Sequence, residues 1–256
     1  MGNVPGEHEF EGRVAIVTGG ASGIGRASAL AFAAKGASVV VADLDSEGGE
    51  ETMRMAGTEK ALFVETDVAD TASAEAMVAA ALARFGRLDF AHNNAGVEYA
   101  GPLVDEIPPE DWNRVVGVLL TGVWNCIRAE IAHMRGAGGG AIVNTSSALG
   151  QVAIRGQAAY VASKHGVVGL TRAAAMDHAD NGIRINAVLP GVVETPLFLR
   201  AADADPALRP TVERMHPIGR LGSPEEIADA VTWLCSDGST FVTGHALSVD
   251  GGFVIH

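Results

Sequence analysis

The chain has 256 residues, of which 48% are hydrophobic and 19% charged, a composition that excludes a disordered chain and suits one compact domain. Its 18 basic and 31 acidic residues give a net charge of −13 without a local Lys/Arg cluster, which argues against duplex DNA and anionic membranes as partners. Cys126 and Cys235 lack a Cys-x-x-Cys spacing, so buried free thiols in a reducing compartment are expected.

No targeting signal is visible in the sequence. Residues 1–10 have neither a basic region nor an apolar run, so we expect no secretory leader. No segment is expected to be long and apolar enough to span a bilayer. With the free thiols, these features predict a cytoplasmic protein.

Short β-branched runs alternate with Ala-rich stretches along the whole chain. Near-continuous apolar runs such as Val14 to Val17 indicate strands buried on both faces, and hence a parallel sheet covered by helices on both sides. No repeat or linker divides the chain, so a single domain is expected over residues 1–256. The predicted strands are residues 13–18, 38–43, 61–66, 88–93, 140–145, 183–189 and 246–249.

Residues 223–226, Ser-Pro-Glu-Glu, predict the start of a helix, with an N-cap serine, a proline at the first helical position and a glutamate at the third. We expect this structural helix to run to about Cys235. The glycine-rich residues 136–140 are interpreted as a turn from helix to strand.

A glycine-rich loop follows the first predicted strand directly and opens the first helix. Its spacing, Gly19-x-x-x-Gly23-x-Gly25, departs from the common Gly-x-Gly-x-x-Gly. Such glycines permit a tight turn and close approach of the backbone to a pyrophosphate at a helix N-terminus. A lone glycine loop is more often a turn than a site, but this placement predicts dinucleotide binding.

Asp43 ends the second predicted strand. A carboxylate there can accept hydrogen bonds from the adenosine ribose hydroxyls and would repel a 2′-phosphate, which predicts NAD rather than NADP. Asp43 could instead be a solvated strand-end residue, and Asp45 could take the same role. Arg26 and Lys35 are not far along the chain.

Tyr160 and Lys164 lie one helical turn apart in a predicted helix, so a phenol and an ammonium share one face. A nearby cation favours the phenolate, and lowering the phenol pKa to between ~7 and ~8 needs roughly 3 to 4 kcal/mol. The ammonium and a bound oxidised nicotinamide could supply it together. Tyr-x-x-x-Lys by itself arises easily by chance.

The motifs taken in order resemble the classical short-chain dehydrogenase/reductase family. They are the glycine loop, residues 93–96 (Asn-Asn-Ala-Gly), Ser146-Ser147, Tyr160-x-x-x-Lys164 and Pro190-Gly191. The match runs from about residue 12 to 252. It implies an α/β fold with a single doubly wound, Rossmann-type parallel sheet of about seven strands, helices on both faces, and a substrate lid at about residues 195–216.

The resemblance also implies roles for single residues. Tyr160 would be the general acid/base, Lys164 would lower its pKa and bind the nicotinamide ribose, and Ser147 would bind the substrate oxygen, with Ser146 as its rival. Thr195 would reach the nicotinamide carboxamide, or merely cap the next helix. The implied cofactor-binding residues are Gly19, Ser22, Gly23, Ile24, Gly25, Asp43, Leu44, Asp67, Val68, Asn94, Ala95, Gly96, Tyr160, Lys164, Pro190, Gly191, Val193 and Thr195.

One position departs from the family pattern. Aligning Trp112 and Thr121-Gly122 with that pattern puts Leu119 where the family usually has an asparagine that holds a water in a proton path from Lys164. Leucine cannot hydrogen-bond a water, so another group must carry the relay, the proton must exit differently, or turnover must be slow. We still expect activity.

The sequence therefore predicts an NAD-dependent alcohol dehydrogenase or carbonyl reductase with no metal, acting on a small uncharged secondary alcohol or ketone, with an alicyclic one as a weak guess. Alternatives are an NAD(H)-binding protein with weak or lost catalysis, and an epimerase or dehydratase on the same scaffold. A homotetramer is a family expectation. Candidate pocket-wall residues are Glu98, Tyr99, Ala148, Leu149, Gln151, Val152 and Val192.

Overall fold

The computed structural model describes residues 9–255, which form one seven-stranded sheet of order β3-β2-β1-β4-β5-β6-β7 with every pairing parallel. The predicted α/β fold is thereby confirmed. The strands are β1 (Val14–Thr18), β2 (Ser38–Asp43), β3 (Ala61–Glu65), β4 (Phe90–Asn93), β5 (Gly140–Thr145), β6 (Ile183–Pro190) and β7 (Ala246–Val249).

Helices cover both faces of the sheet because the strands are apolar on both sides. One core cluster packs the sheet under α3, α5 and α6, and a second packs its other face under α1 and α9. The helices are α1 (Gly23–Ala34), α2 (Ser46–Ala56), α3 (Thr71–Phe85), α4 (Pro109–Val116), α5 (Gly122–Ala137), α6 (Ala158–His178), α7 (Pro196–Ala204), α8 (Leu208–Glu213) and α9 (Pro224–Cys235).

The predicted strand boundaries agree with the structure within two residues. Three strands, β2, β5 and β7, match fully, whereas β4 begins at Phe90 rather than at residue 88. Next to that start, the Asp89 carboxylate accepts hydrogen bonds from the Val14 backbone N–H and from Arg13 and Arg87. Asp89 thus fixes the amino end of β4 against β1.

The helix starts and stops follow the local sequence signals. Ser223 and Glu226 form the predicted capping box, with Ser223 Oγ accepting from the Glu226 N–H at 3.3 Å and Glu226 Oε2 accepting from the Ser223 N–H at 2.8 Å. Gly138, at φ 93°, ends α5 in the left-handed conformation before β5 begins at Gly140. The glycine-rich turn was therefore predicted correctly.

One helical rod runs from Pro109 to Ala137, because the π-helical turn Gly117–Thr121 joins α4 to α5 without a break. By length and composition alone this 29-residue helix could cross a bilayer, so the expectation that no segment could do so was wrong. Its most apolar part is more than half buried within the protein. The core helix of a globular fold has the same apolar character, which explains the composition.

Candidate active site

The candidate site lies at the carboxyl ends of the strands, where β1 has β2 on one side and β4 on the other. The chain leaves β1 towards α1 and leaves β4 towards α4, so a crevice opens between these connections. In doubly wound sheets, ligands bind at such a switch point. The glycine loop, Asp43 and the turn at residues 93–96 lie together at these strand ends.

Tyr160 and Lys164 lie one turn apart on α6, as their spacing predicted. Lys164 is buried, and its Nζ donates a 2.9 Å hydrogen bond to the carbonyl oxygen of Thr145 at the end of β5. The same Nζ lies 5.5 Å from the centroid of the Tyr160 ring. Burial lowers the pKa of Lys164 to about 8, because desolvation disfavours the ammonium.

The chain's own groups raise the pKa of the Tyr160 phenol. Burial has the largest effect, the hydrogen bond with Ser147 lowers the pKa, and the negative charge of Glu98 raises it further. The direction is opposite to the predicted lowering by Lys164 and nicotinamide together. That lowering would therefore depend on a positive charge brought by a ligand, since desolvation of the phenolate outweighs the other effects.

The two neighbouring serines have different partners. Ser146 is buried, and its Oγ donates a 2.8 Å hydrogen bond to the backbone carbonyl of Lys164, which ties β5 to α6. Ser147 Oγ accepts a hydrogen bond from the Leu149 N–H at 3.1 Å and is hydrogen-bonded to Tyr160. Of the two, Ser147 is the one placed beside the phenol.

The glycine loop has the shape that a pyrophosphate requires. Gly19 and Gly23 have positive φ values of 67° and 53°, and a Cβ on Gly25 would collide with the Gly19 carbonyl. Ser22, the N-cap of α1, makes no side-chain capping bond, which leaves the first N–H groups of α1 available to phosphate oxygens. Ile24 packs against the core under α1. The residues present therefore fit a dinucleotide.

Asp43 is hydrogen-bonded to the glycine loop, whereas Asp45 caps a helix. Asp43 Oδ2 accepts a 2.9 Å hydrogen bond from the Ala21 N–H, and its Oδ1 accepts one of 3.0 Å from the Asp45 N–H. Asp45 caps α2 by accepting from the Gly48 N–H. Leu44, between the two carboxylates, is 63% exposed. The structure thus separates the two candidates that the sequence left open.

The nearby cations have partners other than Asp43. Arg26 Nε donates to Thr52 Oγ1 at 2.9 Å, and its Nη2 donates to the carbonyl oxygens of Ala21 and Gly48, so the guanidinium joins the glycine loop to α2. Lys35 pairs with Glu9 at 2.9 Å. Neither side chain reverses the negative charge of Asp43.

The turn at residues 93–96 is fastened against the glycine loop. Thr18 Oγ1 accepts hydrogen bonds from the backbone N–H groups of Asn94 and Ala95 at 2.9 and 3.0 Å. A Cβ on Gly19 would lie 2.8 Å from the Ala95 Cα, so the two loops are in close contact at Gly19. Gly96 is exposed at the rim of the crevice.

Asp67 and Val68 follow β3 and present different surfaces. Asp67 is exposed, and its carboxylate accepts from the Ala69 N–H at 2.9 Å. The Val68 side chain is buried under Gly122, and its carbonyl oxygen accepts a 2.9 Å hydrogen bond from Asn125 Nδ2. The carboxylate of Asp67 therefore remains open to a ligand, whereas Val68 keeps only its backbone N–H.

Leu119 lies in the π-helical turn and is 1% exposed. It belongs to an apolar cluster with Tyr99, Val115 and Ala159, against which Tyr160 packs. A Cβ on Gly96 would lie 3.1 Å from Leu119 Cδ2, so the leucine fills the space behind that turn. Its side chain has no polar atom and cannot carry a proton relay.

His216 is a site residue that sequence reasoning treated only as the end of the lid. Its Nε2 accepts a 3.0 Å hydrogen bond from the Val192 N–H, and its Nδ1 bonds to the carbonyl of Val212 at 2.7 Å. A Cβ on Gly191 would lie 2.6 Å from that Nε2, so only glycine fits. The buried imidazole holds the segment after Pro190 to α8. His216 and Val192 are 24 residues apart in the chain, so no local sequence pattern predicted their hydrogen bond.

Thr195 lies between the glycine loop and α7. Its Oγ1 accepts a 3.3 Å hydrogen bond from the Phe198 N–H, so it caps α7 as the alternative interpretation predicted. Its methyl group would lie 3.2 Å from a Cβ on Gly23, which places Thr195 against the glycine loop as well. The hydroxyl keeps its proton for a ligand. Val193 is buried and bridges to Gly222.

The predicted pocket-wall residues divide into two groups. Tyr99, Ala148 and Leu149 are buried in the core, whereas Glu98 and Gln151 are exposed. The remaining two, Val152 and Val192, are partly exposed. A separate cavity of about 320 Å³ lies behind residues 191–192 and borders neither Tyr160 nor Lys164.

Glu130 on α5 was also missed by the sequence analysis. It is fully buried and accepts a 3.0 Å hydrogen bond from Asn93 Nδ2, which also donates to Asn144 Oδ1. Burial raises the pKa of Glu130 to about 8, partly offset by the Asn93 hydrogen bond. Its other oxygen has no partner within residues 9–255. Glu130 lies on the buried face of α5, where the helical pattern predicts an apolar residue, so the pattern gave no sign of a buried acid.

The comparisons with known proteins agree with this geometry. A family model described as enoyl-(acyl carrier protein) reductase matches residues 19–254. The chain is 45% identical to a 2,5-dichloro-2,5-cyclohexadiene-1,4-diol dehydrogenase of Sphingobium indicum, covering 96% of this chain and 98% of that protein. It is 46% identical to the cis-4-hydroxycyclohexanecarboxylate dehydrogenase of Sinomonas cyclohexanicum, covering 95% and 97%.

The crystal structure of levodione reductase superposes with a TM-score of 0.90 at 38% sequence identity, covering 96% of this chain and 99% of that one. The ordered motifs, the parallel sheet and these similarities agree. The chain belongs to the classical short-chain dehydrogenase/reductase family, whose members are oxidoreductases that use a nicotinamide cofactor.

Proposed function

We propose that this protein is an NAD-dependent dehydrogenase that interconverts a small uncharged alicyclic secondary alcohol and its ketone. The observation that carries the proposal is the cluster of Ser147, Tyr160 and Lys164 at the carboxyl end of β5. It puts two hydroxyl groups and a buried amine at the carboxyl edge of one sheet.

In the direction of oxidation, the Ser147 hydroxyl donates a hydrogen bond to the substrate oxygen, and the Tyr160 phenolate accepts one from the substrate hydroxyl. The phenolate of Tyr160 then accepts the proton of the substrate hydroxyl. Lys164, whose Nζ lies over the ring, stabilises the phenolate. An oxidised nicotinamide, when bound, would supply the hydride acceptor. In reduction, the Tyr160 phenol returns its proton to the carbonyl oxygen, so one residue serves as base and acid.

We propose NAD rather than NADP because of Asp43. Its carboxylate is held next to the glycine loop by the Ala21 N–H, where a ribose 2′-phosphate would meet a negative charge. The one arginine of α1, Arg26, donates its hydrogen bonds to α2 and to the Ala21 carbonyl. We also propose that the cofactor-binding residues predicted from the sequence bind NAD.

The proposed substrate class is supported by the relatives, which are named for cyclic alcohols and a cyclic dione. We propose Val152 and Val192, which are partly exposed, as apolar parts of the pocket wall. We also propose a cytoplasmic homotetramer with α7 and α8 as the substrate lid. Large apolar side chains exposed on the surface support the association: Trp112, Trp124, Trp233 and Phe241.

The experiment is to assay cyclohexanol and related secondary alcohols with NAD and, separately, with NADP, following absorbance of the reduced cofactor. NAD-dependent oxidation is expected. The matched control, Tyr160→Phe, should lose turnover while binding NADH with nearly unchanged affinity in a fluorescence titration. If the wild-type protein binds NADH but oxidises none of the alcohols and reduces none of the corresponding ketones, it is a nucleotide-binding protein, as the buried Leu119 would allow.

A further inference from the structure

His216 follows α8 and contacts three parts of the fold. Its buried imidazole accepts a 3.0 Å hydrogen bond at Nε2 from the Val192 N–H, shortly after β6, and bonds through Nδ1 to the Val212 carbonyl in α8 at 2.7 Å. The ring also packs against Phe253, after β7, with the ring centroids 5.3 Å apart. One side chain therefore joins α8 to the segment of residues 191–195.

The partners of the imidazole fix the protonation state in which it can make both bonds. A carbonyl oxygen only accepts, so Nδ1 must carry the proton that is donated to Val212. A backbone N–H only donates, so Nε2 must keep its lone pair for Val192. Both ring nitrogens of a neutral His216 are thereby used. Neither is left to exchange a proton with a substrate, so this histidine acts through its position.

Residues 216–222 hold the backbone of the segment 191–195. The Val192 N–H donates to His216, and the Val192 carbonyl accepts a 3.1 Å hydrogen bond from the Gly222 N–H. The Glu194 N–H donates to the Gly222 carbonyl at 2.9 Å. Of these three hydrogen bonds, the one to His216 is the one that a side-chain substitution removes.

A cavity lies behind the segment. Its volume is about 320 Å³, and its lining includes Gly191, Val192, the His216 ring and residues 248–252. A Cβ on Gly191 would lie 2.6 Å from His216 Nε2, so the ring lies directly against the backbone there. Loss of the ring would enlarge this cavity and leave the Val192 N–H without its acceptor. The segment would then lose its support on that side.

We propose that His216 is a positioning residue for the cofactor, which holds residues 191–195 at the nicotinamide half of NAD and joins them to α8. This inference rests on the proposed function, in which that segment contacts the nicotinamide and Asp43 contacts the adenosine ribose. Removing the imidazole therefore weakens binding of the nicotinamide half and leaves binding of the adenosine half unchanged.

The test compares the dissociation constants of NADH and of ADP-ribose, which lacks the nicotinamide, by isothermal titration calorimetry. His216→Leu removes both ring contacts, His216→Asn keeps a donor for the Val212 carbonyl, and His216→Gln keeps an acceptor for the Val192 N–H. His216→Leu and His216→Asn should bind NADH roughly tenfold more weakly, as the loss of a hydrogen bond predicts, and ADP-ribose as tightly as the wild type. His216→Gln should bind NADH within about threefold of the wild type.

His178→Leu is the matched control, because this histidine bonds to Asn181 next to the amino end of β6, at the edge of the sheet opposite the site. It should bind both ligands like the wild type. An unchanged NADH affinity in His216→Asn, an equal loss of affinity for both ligands, or a His216→Gln as weak as His216→Leu would overturn the inference and leave the proposed function intact. If the wild type bound neither ligand, the proposed function would fail as well. Should His216→Leu not fold, His216→Asn decides alone.

Discussion

Two buried titratable side chains lie on neighbouring helices and behave differently. Lys164 on α6 and Glu130 on α5 are 4% and 0% exposed, and burial moves both pKa values to about 8 from opposite directions. Lys164 lies against the Tyr160 ring at the crevice, whereas Glu130 is sealed against Asn93. A strongly shifted pKa therefore does not identify an active site; contact with the crevice does.

The largest expected effect separates these two residues directly. Lys164→Met should lower kcat/KM by about 10²- to 10⁴-fold, because the proposed base loses the charge that stabilises it. Glu130→Gln should stay within a few-fold of the wild type, since the amide oxygen can still accept the Asn93 hydrogen bond. Steady-state kinetics with the same alcohol and NAD measures both. A comparable loss of kcat/KM in Glu130→Gln would contradict the proposed difference between Lys164 and Glu130.

A second pair contrasts Asp43 with Asp45. Asp43→Ala should reduce the preference for NAD over NADP by roughly tenfold or more, because it removes the repulsion between the carboxylate and a 2′-phosphate; a tenfold change corresponds to about 1.4 kcal/mol. Asp45→Ala should keep that preference but lose about 1 kcal/mol of stability with the α2 cap. The measurements are kcat/KM for each cofactor and denaturant unfolding. Unchanged cofactor discrimination in Asp43→Ala would remove Asp43 from the account.

Leu119→Asn tests whether the apolar packing under Tyr160 limits turnover. An asparagine in this buried cluster should lower the free energy of unfolding by about 2 to 5 kcal/mol, as expected for loss of a buried leucine. We expect kcat to change by no more than a few-fold, because neither the hydride step nor the Tyr160 proton step uses this side chain. A large rise in kcat would mean that the missing relay limits the wild type.

The remaining effects are on the pH dependence of stability and not on activity. The folded-state pKa of Glu130 is about 8, above its ordinary 4.5, so the folded protein keeps a proton that the unfolded chain releases. The free energy of unfolding should therefore fall as pH rises from about 4.5 to about 8, and Glu130→Gln should reduce that slope. Urea unfolding at several pH values measures it. An identical slope in the variant would contradict the buried acid.

Lys164 gives the opposite slope in a different window. Its folded-state pKa is about 8, below its ordinary 10.5, so the unfolded chain binds more protons between these values. The contribution of Lys164 to the free energy of unfolding should therefore rise as the pH increases from about 8 to 10.5. Lys164→Met should remove that rise. Unfolding measurements on Lys164→Met and Glu130→Gln therefore test the contrast between the two residues without an activity assay.

The sequence predicted the strands well because strands buried on both faces have long apolar runs, and parallel strands bring their carboxyl ends together. Glu130 and His216 could not be predicted from it, since their partners Asn93 and Val192 are 37 and 24 residues away. The direction of the Tyr160 pKa shift was also out of reach. It depends on how deeply the folded chain buries the phenol, and spacing does not give that depth.

The measurement that tests the central claim is an NMR titration of the tyrosine rings. The chain has two tyrosines, and Tyr99→Phe assigns the signals, so selective ¹³C labelling resolves Tyr160. The account predicts a Tyr160 pKa above its ordinary 10.0 for the protein alone, and a pKa below that value once NAD⁺ is bound. A pKa that is the same with and without NAD⁺ would contradict the account.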